Sequence, residues 1–342
     1  MRSLTLLSLL LCLLVIGLGA YTRLTDAGLG CPDWPGCYGH WTVPAPEQAA
    51  ARFPEQPLEQ HKAWNEMIHR YLAGALGLLI ALLAAFGWRR GGGLRWLTTA
   101  LLVLVSGQTL LGMLTVTLML MPLVVVAHLL GGFATLCLLL LLYWQLRRVE
   151  GQPLLAPPSP LAGRLRPLAA AGVVVVVVQV MLGGWTSANY AALVCHQLPL
   201  CEPGWQQQFD VSAFNPYQPG HASYQYGVLD HPQRITIHVS HRIGAMAVTL
   251  VLALLILQLW RWQRPLALLL GAALSVQLAL GLANVLLVLP LAVAVGHNLG
   301  AVWLLATLVL INLWLWSGTT AVVATRGSDE QSSNHQPLAA QP

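Results

Sequence analysis

LGAYTRLTDAGLGCPDWPGC, from Leu18 to Cys37, and LGGWTSANYAALVCHQLPLC, from Leu182 to Cys201, decide the reading of this chain. They align without a gap at an offset of 164 residues. Leu-Gly falls on Leu-Gly, Tyr21 on Trp185, Thr22 on Thr186, and both cysteines on both cysteines. Further on, WNEMIHR from Trp64 matches a segment that ends in His241-Arg242, with His69-Arg70 on His241-Arg242 and Glu66 on His238. Gln108 precedes His128 by 20 residues, and Gln277 precedes His297 by 20. Gly112 pairs with Gly281, and Gly131 with Gly300. Apolar helices resemble one another easily. Matched cysteines, histidines and spacings do not arise that way, so the chain is read as an internal duplication.

Composition gives the class. Of 342 residues, 56% are hydrophobic and 8% charged, against roughly 25% charged in a soluble domain. This is an integral membrane protein. Eight apolar runs, near 4–22, 67–88, 96–120, 123–145, 167–187, 235–260, 266–289 and 291–316, are each long enough to cross about 30 Å of hydrocarbon as helix. The expected fold is all-α, eight transmembrane helices in two tandem pseudo-symmetric four-helix bundles. The divisions are 1–150, a linker over 151–166, 167–320, and a disordered tail over 321–342. Four spans is an even number, so both halves enter from one side, as a parallel repeat about an axis along the membrane normal. The first run looks superficially like a signal peptide, but its repeat at 167–187 argues for its retention.

Arginine sets the orientation. Arg2, the loops WRRGGGLR, QLRRVEGQ and RWQRP, the linker arginines and Arg326 place 11 of the 17 basic residues on one side. The positive-inside rule makes that side cytoplasmic and puts both termini there. The net charge of +5 is thus accounted for by membrane orientation rather than nucleic acid. The long loops 23–62 and 188–232 lie outside, with Cys31, Cys37, Cys195 and Cys201, where disulfides form. Cys12 and Cys137 sit inside spans as ordinary apolar residues.

Ionisable groups inside a bilayer are costly and commonly functional. His69, His128, His241 and His297 occur once per alternate span, at roughly 8–12 Å below the outer surface by helical rise. Two imidazoles on facing helices at one depth can clamp a planar macrocycle, the bis-His haem geometry. Zinc would need a compact set of four ligands or an open catalytic position. Nearby glycines, among them Gly74, Gly77, Gly131, Gly132, Gly244 and Gly300, allow a flat ring to approach or simply let helices pack. Arg70 and Arg242 have two readings, pairing with haem propionates or snorkelling to headgroups. Glu66 shares a helix face with His69, and its counterpart His238 is not a carboxylate. The first half therefore carries the candidate chemistry, with Glu66 a proton acceptor or a stabiliser of developing charge, or only a partner for Arg70.

In these residues and this topology the sequence resembles the bacterial haem A synthases, over nearly the whole chain. The resemblance implies oxidation of the C8 methyl of haem O to a formyl group, through a hydroxymethyl haem, for terminal cytochrome oxidases. It implies that His69 and His128 bind substrate haem O, that His241 and His297 hold haem b, and that Glu66 is the catalytic carboxylate. It implies disulfides Cys31–Cys37 and Cys195–Cys201, as loop braces or a redox relay. The implied setting is the cell membrane, beside a haem O synthase and cytochrome oxidase assembly factors, with an electron acceptor not readable from the sequence. Two other readings stand beside it, a bis-His di-haem electron carrier and a haem-binding assembly or transport protein without chemistry. The segment 202–232 exceeds its counterpart by eight residues and is expected to cap the second site.

Overall fold

The computed structural model describes residues 1–155 and 158–333. The chain forms α1 (Arg2–Leu24), a short α2 (Pro46–Arg52), α3 (Gln60–Arg90), α4 (Gly92–Thr117), α5 (Pro122–Val149), α6 (Arg166–Ala188), α7 (His231–Leu259), α8 (Arg264–Leu286) and α9 (Leu291–Ser333). Three 3₁₀ turns, at Pro160–Leu165, Trp205–Gln208 and Val211–Phe214, complete it. Among the described residues, eight of these helices are long and apolar enough to span a membrane. Helix α9 is continuous to Ser333, past the point at which a disordered tail is expected, and residues 334–342 of that tail lie outside the described residues.

Helix α1 packs on α3 and α5, and α4 on α3 and α5; α6 packs on α7 and α9, and α8 on α7 and α9. The two sets meet through α1 against α9, α5 against α6, and α5 against α9. Lipid is as apolar as leucine, so these helices associate through close van der Waals fit rather than expulsion of water. At Gly87 the helices meet closely, since a β-carbon there would lie 2.1 Å from Thr98 Oγ1 on α4. The solid part of the core is at the arginine-rich end. There Leu139, Leu142, Leu146, Leu252, Leu255, Leu259, Leu308 and Leu315 are sealed from the surface. The opposite halves of the same helices are left for the histidines.

Four helices end on the histidine side with the same stop. The N–H of Ala27 reaches Thr22 O at 2.9 Å, and that of Ala191 reaches Thr186 O at 2.9 Å. Leu120 reaches Thr115 O and Leu289 reaches Asn284 O, each at 2.8 Å. These are Schellman closures, which need a left-handed residue just past the helix. Asp26, Tyr190, Met119 and Val288 take that conformation at φ 52°, 53°, 50° and 58°. None is glycine, so each costs about 1–2 kcal/mol.

Asp26 and Tyr190 occupy equivalent repeat positions and touch each other. The Tyr190 hydroxyl donates to Asp26 Oδ1 at 2.7 Å and accepts from Arg23 Nη1 at 2.8 Å. Arg23 Nη2 also donates to Ser187 O at 2.6 Å, so α1 and α6 are tied at their outer ends. The segment 202–232 lies over this seam. Trp185 Nε1 donates to Ala213 O at 2.9 Å, and Tyr224 N to Met119 O at 3.0 Å. It therefore covers the outer ends of α6 and α7 and reaches the α4–α5 turn of the other half.

Candidate functional site

All four repeated histidines lie toward the outer ends of their helices. His69 lies near His128, and His241 near His297. The sequence pairing is thus also a spatial one. Each ring rests on a glycine of the neighbouring helix. A β-carbon at Gly19 on α1 would meet His69 Cε1 at 3.0 Å, and one at Gly183 on α6 would meet His241 Cε1 at 3.0 Å. At Gly112 on α4 the distance to His128 Cε1 is 3.5 Å, and at Gly281 on α8 the distance to His297 Cε1 is 3.2 Å. The glycines that neighbour the histidines in sequence do not touch their rings. Gly74 and Gly77 face open space, while Gly131, Gly300 and Gly244 take the side chains of Gln108, Gln277 and Gln179. The true seats were findable, because Gly19 and Gly183 are 164 residues apart and Gly112 and Gly281 share the spacing of their histidines.

Polar atoms at this site lack partners. The Nδ1 atoms of His69, His128 and His297 are buried without a hydrogen bond among the described residues, as are Oε1 of Gln179 and Gln277. Buried polar groups without partners are costly, so their recurrence around paired imidazoles fits a site built to take a ligand. Among the described residues these histidines join no cluster of three metal-ligating side chains close enough for one ion. One imidazole from each of two helices is the donor set for a planar group held from two sides.

Above each pair lies a small loop closed by a disulfide, Cys31–Cys37 in one half and Cys195–Cys201 in the other, with Cα atoms 4.8 Å apart in both. Arg70 and Arg242, read from sequence as partners of propionates or of headgroups, hold these loops. Arg70 Nη1 donates to Asp33 O at 3.0 Å, to Pro35 O at 3.2 Å and to Gly36 O, and Nη2 donates to Glu66. Arg242 Nη1 donates to Gln197 O at 2.6 Å and to Leu200 O, and Nη2 to Cys195 O at 2.7 Å. A loop of this size has too few internal bonds for its carbonyls. A planar guanidinium with five donors satisfies several at once.

Glu66 is buried beneath the first loop. Besides Arg70, it accepts the N–H of Cys31 through Oε2 at 2.9 Å. The loop backbone lies flat on α3 at this point, since a β-carbon at Gly30 would be 2.6 Å from the Lys62 carbonyl carbon. In the second half His238 takes the place of Glu66, with Arg242 Nε donating to His238 Nε2 at 3.1 Å. There the loop is closed further by Glu202, which accepts the N–H of His196 at 2.9 Å. That bond holds the Glu202 carboxyl below the usual range. The Cys31 contact was invisible in sequence, because a backbone N–H 35 residues away leaves no residue-type signal.

Comparison with known proteins agrees with this architecture. A family model described as a cytochrome oxidase assembly protein, COX15-CtaA, matches residues 2–309. A protein of Shewanella oneidensis named heme A synthase is 47% identical over 317 residues, covering 91% of this chain and 95% of its own. Proteins of the same name from Caulobacter vibrioides and Rhizorhabdus wittichii are 30% and 28% identical. They cover 85% and 89% of this chain and 89% of their own lengths in both cases. With a match that runs from the first helix to the last and holds both cysteine loops and all four histidines, the chain belongs to the COX15-CtaA family of cytochrome oxidase assembly proteins.

Proposed function

We propose that this chain is a haem A synthase, an oxidoreductase that converts haem O to haem A for cytochrome oxidase assembly. The carrying observation is a duplicated, glycine-seated histidine pair with a buried carboxylate in one half only. His69 and His128 bind substrate haem O, and His241 and His297 hold a resident haem b, so each half is one haem-binding bundle. The reaction takes a methyl group and one water to a formyl group, with loss of four electrons and four protons. A haem b, when bound, supplies a one-electron site through which those electrons leave toward an acceptor.

The chain's own residues supply position and proton handling. Glycine seats fix the ring planes, and the packed leucine floor at the inner end limits depth. The disulfide loops close the outer mouth, held by Arg70 and Arg242 rather than by propionates. Glu66, one turn from His69, is the proton acceptor for the methyl group. The arginine distribution supports a multi-pass topology with both termini cytoplasmic, and the family resemblance supports the cell membrane as its place and a haem O synthase as the source of haem O.

A second reading of Glu66 is favoured by its contacts, since both oxygens are already held by Arg70 and by Cys31 N–H. On that reading it positions the loop, as His238 does in the other half. Haem extraction and chromatography from cells supplied with haem O separates the two. Glu66→Ala removes carboxylate and strut together, whereas Glu66→His imports the residue that already serves as strut. Formyl haem from wild type and neither variant supports the proton-acceptor role. Formyl haem from Glu66→His assigns Glu66 to loop positioning. If wild type itself leaves haem O unchanged while its bis-His spectrum is intact, the synthase reading fails.

A further inference from the structure

The two halves differ at a second place, behind the ligands. Three glutamine side chains lie directly on glycines of a neighbouring helix, Gln108 on Gly131, Gln277 on Gly300 and Gln179 on Gly244. The first two pairs are repeat equivalents. The third has none. At the offset of 164 residues Gln179 corresponds to Val15, and at the 172 residues separating His69 from His241, Gly244 corresponds to Leu72. Both members differ together. Leucine at the glycine position would fill the space that the amide needs.

Gln179 is aimed at a ligand. Its Nε2 lies 3.0 Å from His241 Nδ1 and 2.8 Å from His241 O, so one amide grips both the ring and the backbone of the same residue. Gln277 instead lies 3.3 Å from His297 Nε2, the other type of ring nitrogen. Val15, at the Gln179 position of the first half, offers the His69 ring no side-chain partner, only its backbone carbonyl, and His69 Nδ1 makes no well-formed hydrogen bond among the described residues. An imidazole that ligates through Nε2 carries its proton on Nδ1. Turning the Gln179 amide about its last torsion gives up its bond to His241 O and presents Oε1, unpartnered as it stands, to that N–H. Partners of this kind fix the tautomer and plane of a ligating histidine and raise its basicity, and their loss typically costs 10–100-fold in affinity.

Resting on the haem-binding reading of the four histidines, we infer that Gln179 is a positioning residue that makes the second site retentive, whereas Val15 leaves His69 a ligand that lets go. The division suits the proposed reaction. A resident redox group must stay through many turnovers, and a substrate must depart as product.

The test uses the full chain, purified with the haem it carries, and follows haem transfer to excess apomyoglobin by absorbance, with midpoint potentials measured in parallel. His241→Ala and His69→Ala assign the kinetic phases to sites. Gln179→Val is expected to release haem from the second site about 10–100-fold faster, with the His69 phase unchanged as the control for folding. Gln179→Glu keeps an oxygen acceptor, so it is expected to hold haem and lower its potential. The exchange V15Q with L72G is expected to slow release from the first site. Release from Gln179→Val at the wild-type rate overturns the inference. So does equally fast release from Gln179→Glu, which would assign Gln179 to packing on Gly244 alone. If His241→Ala retains as much haem as wild type, the underlying haem reading fails and this inference with it.

Discussion

Adding one methyl group at each ring seat gives a graded test whose order is fixed by distance. Carbon atoms pack at about 3.5–4.0 Å. Alanine at Gly19 or Gly183 places its β-carbon 3.0 Å from a histidine Cε1, about 0.5 Å too close. Each ring sits between its seat and its proposed haem face, so the displacement is toward the ligand, at about the tolerance within which a ligating group must be held. Overpacking of this kind costs about 1–3 kcal/mol, which is roughly 5- to 150-fold in retention at 1.4 kcal/mol per decade. At Gly281 the distance is 3.2 Å and the cost smaller; at Gly112 it is 3.5 Å, an ordinary contact. There the change relieves a helix-interior glycine, worth about 1 kcal/mol in the opposite direction. Haem per protein by pyridine haemochrome, with capture by apomyoglobin for the off-rate, reads each variant. Gly183→Ala should deplete the second site, Gly281→Ala deplete it less, and Gly112→Ala leave the first site as full as wild type. Equal losses at Gly112 and Gly19, or a full second site in Gly183→Ala, would falsify the seating argument.

The arginine clamps make a separate claim. Hydrogen bonds from a charged donor contribute about 1.5–3 kcal/mol each, and Arg242 gives three to loop carbonyls. Arg242→Ala should therefore loosen the second loop and speed thiol labelling of Cys195 and Cys201 after mild reductant at least tenfold. Arg70→Ala should do the same for Cys31 and Cys37. Labelling at the wild-type rate would return the guanidiniums to the headgroups or propionates. Glu202 gives a pH dependence. Its carboxyl is depressed by the His196 N–H, so its support of the loop is present above the ordinary carboxylate value of 4.5 and is lost as pH falls through the depressed value. Proteolytic nicking of 196–205 should be flat from pH 8 to 5 and rise only in more acid solution. Glu202→Gln should remove that acid limb, and an acid limb that persists in the variant would assign it elsewhere.

The parts of this protein that were legible are those written twice. Cysteine spacing gave the loops, repeated histidines gave the two pairs whose members lie near each other, and hydropathy gave the eight spans. Helix limits were missed where a helix outruns the hydrocarbon. Helix α3 begins at Gln60, and its polar first turns, QHKAWNE, carry Glu66 under the loop although hydropathy starts the span at 67. Partners that are backbone atoms were equally hidden. Arg70 and Arg242 read as anion partners because a guanidinium's usual partners are carboxylates, headgroups and phosphates, while a ring of carbonyls has no residue-type signature. Duplication also shows where function lies. Identity between the halves reports what both sites need: a ring pair, glycine seats, a closed loop and its arginine. Departures at equivalent positions report what one site alone needs, and two of them sit within contact of a ligand or its neighbour. If Glu66 is the proton acceptor proposed above, Glu66 against His238 separates chemistry from support. Gln179 with Gly244 against Val15 with Leu72 separates holding from release. On the proposed roles, a scaffold copied once and then altered at these few positions turns a symmetric pair of sites into a directional one.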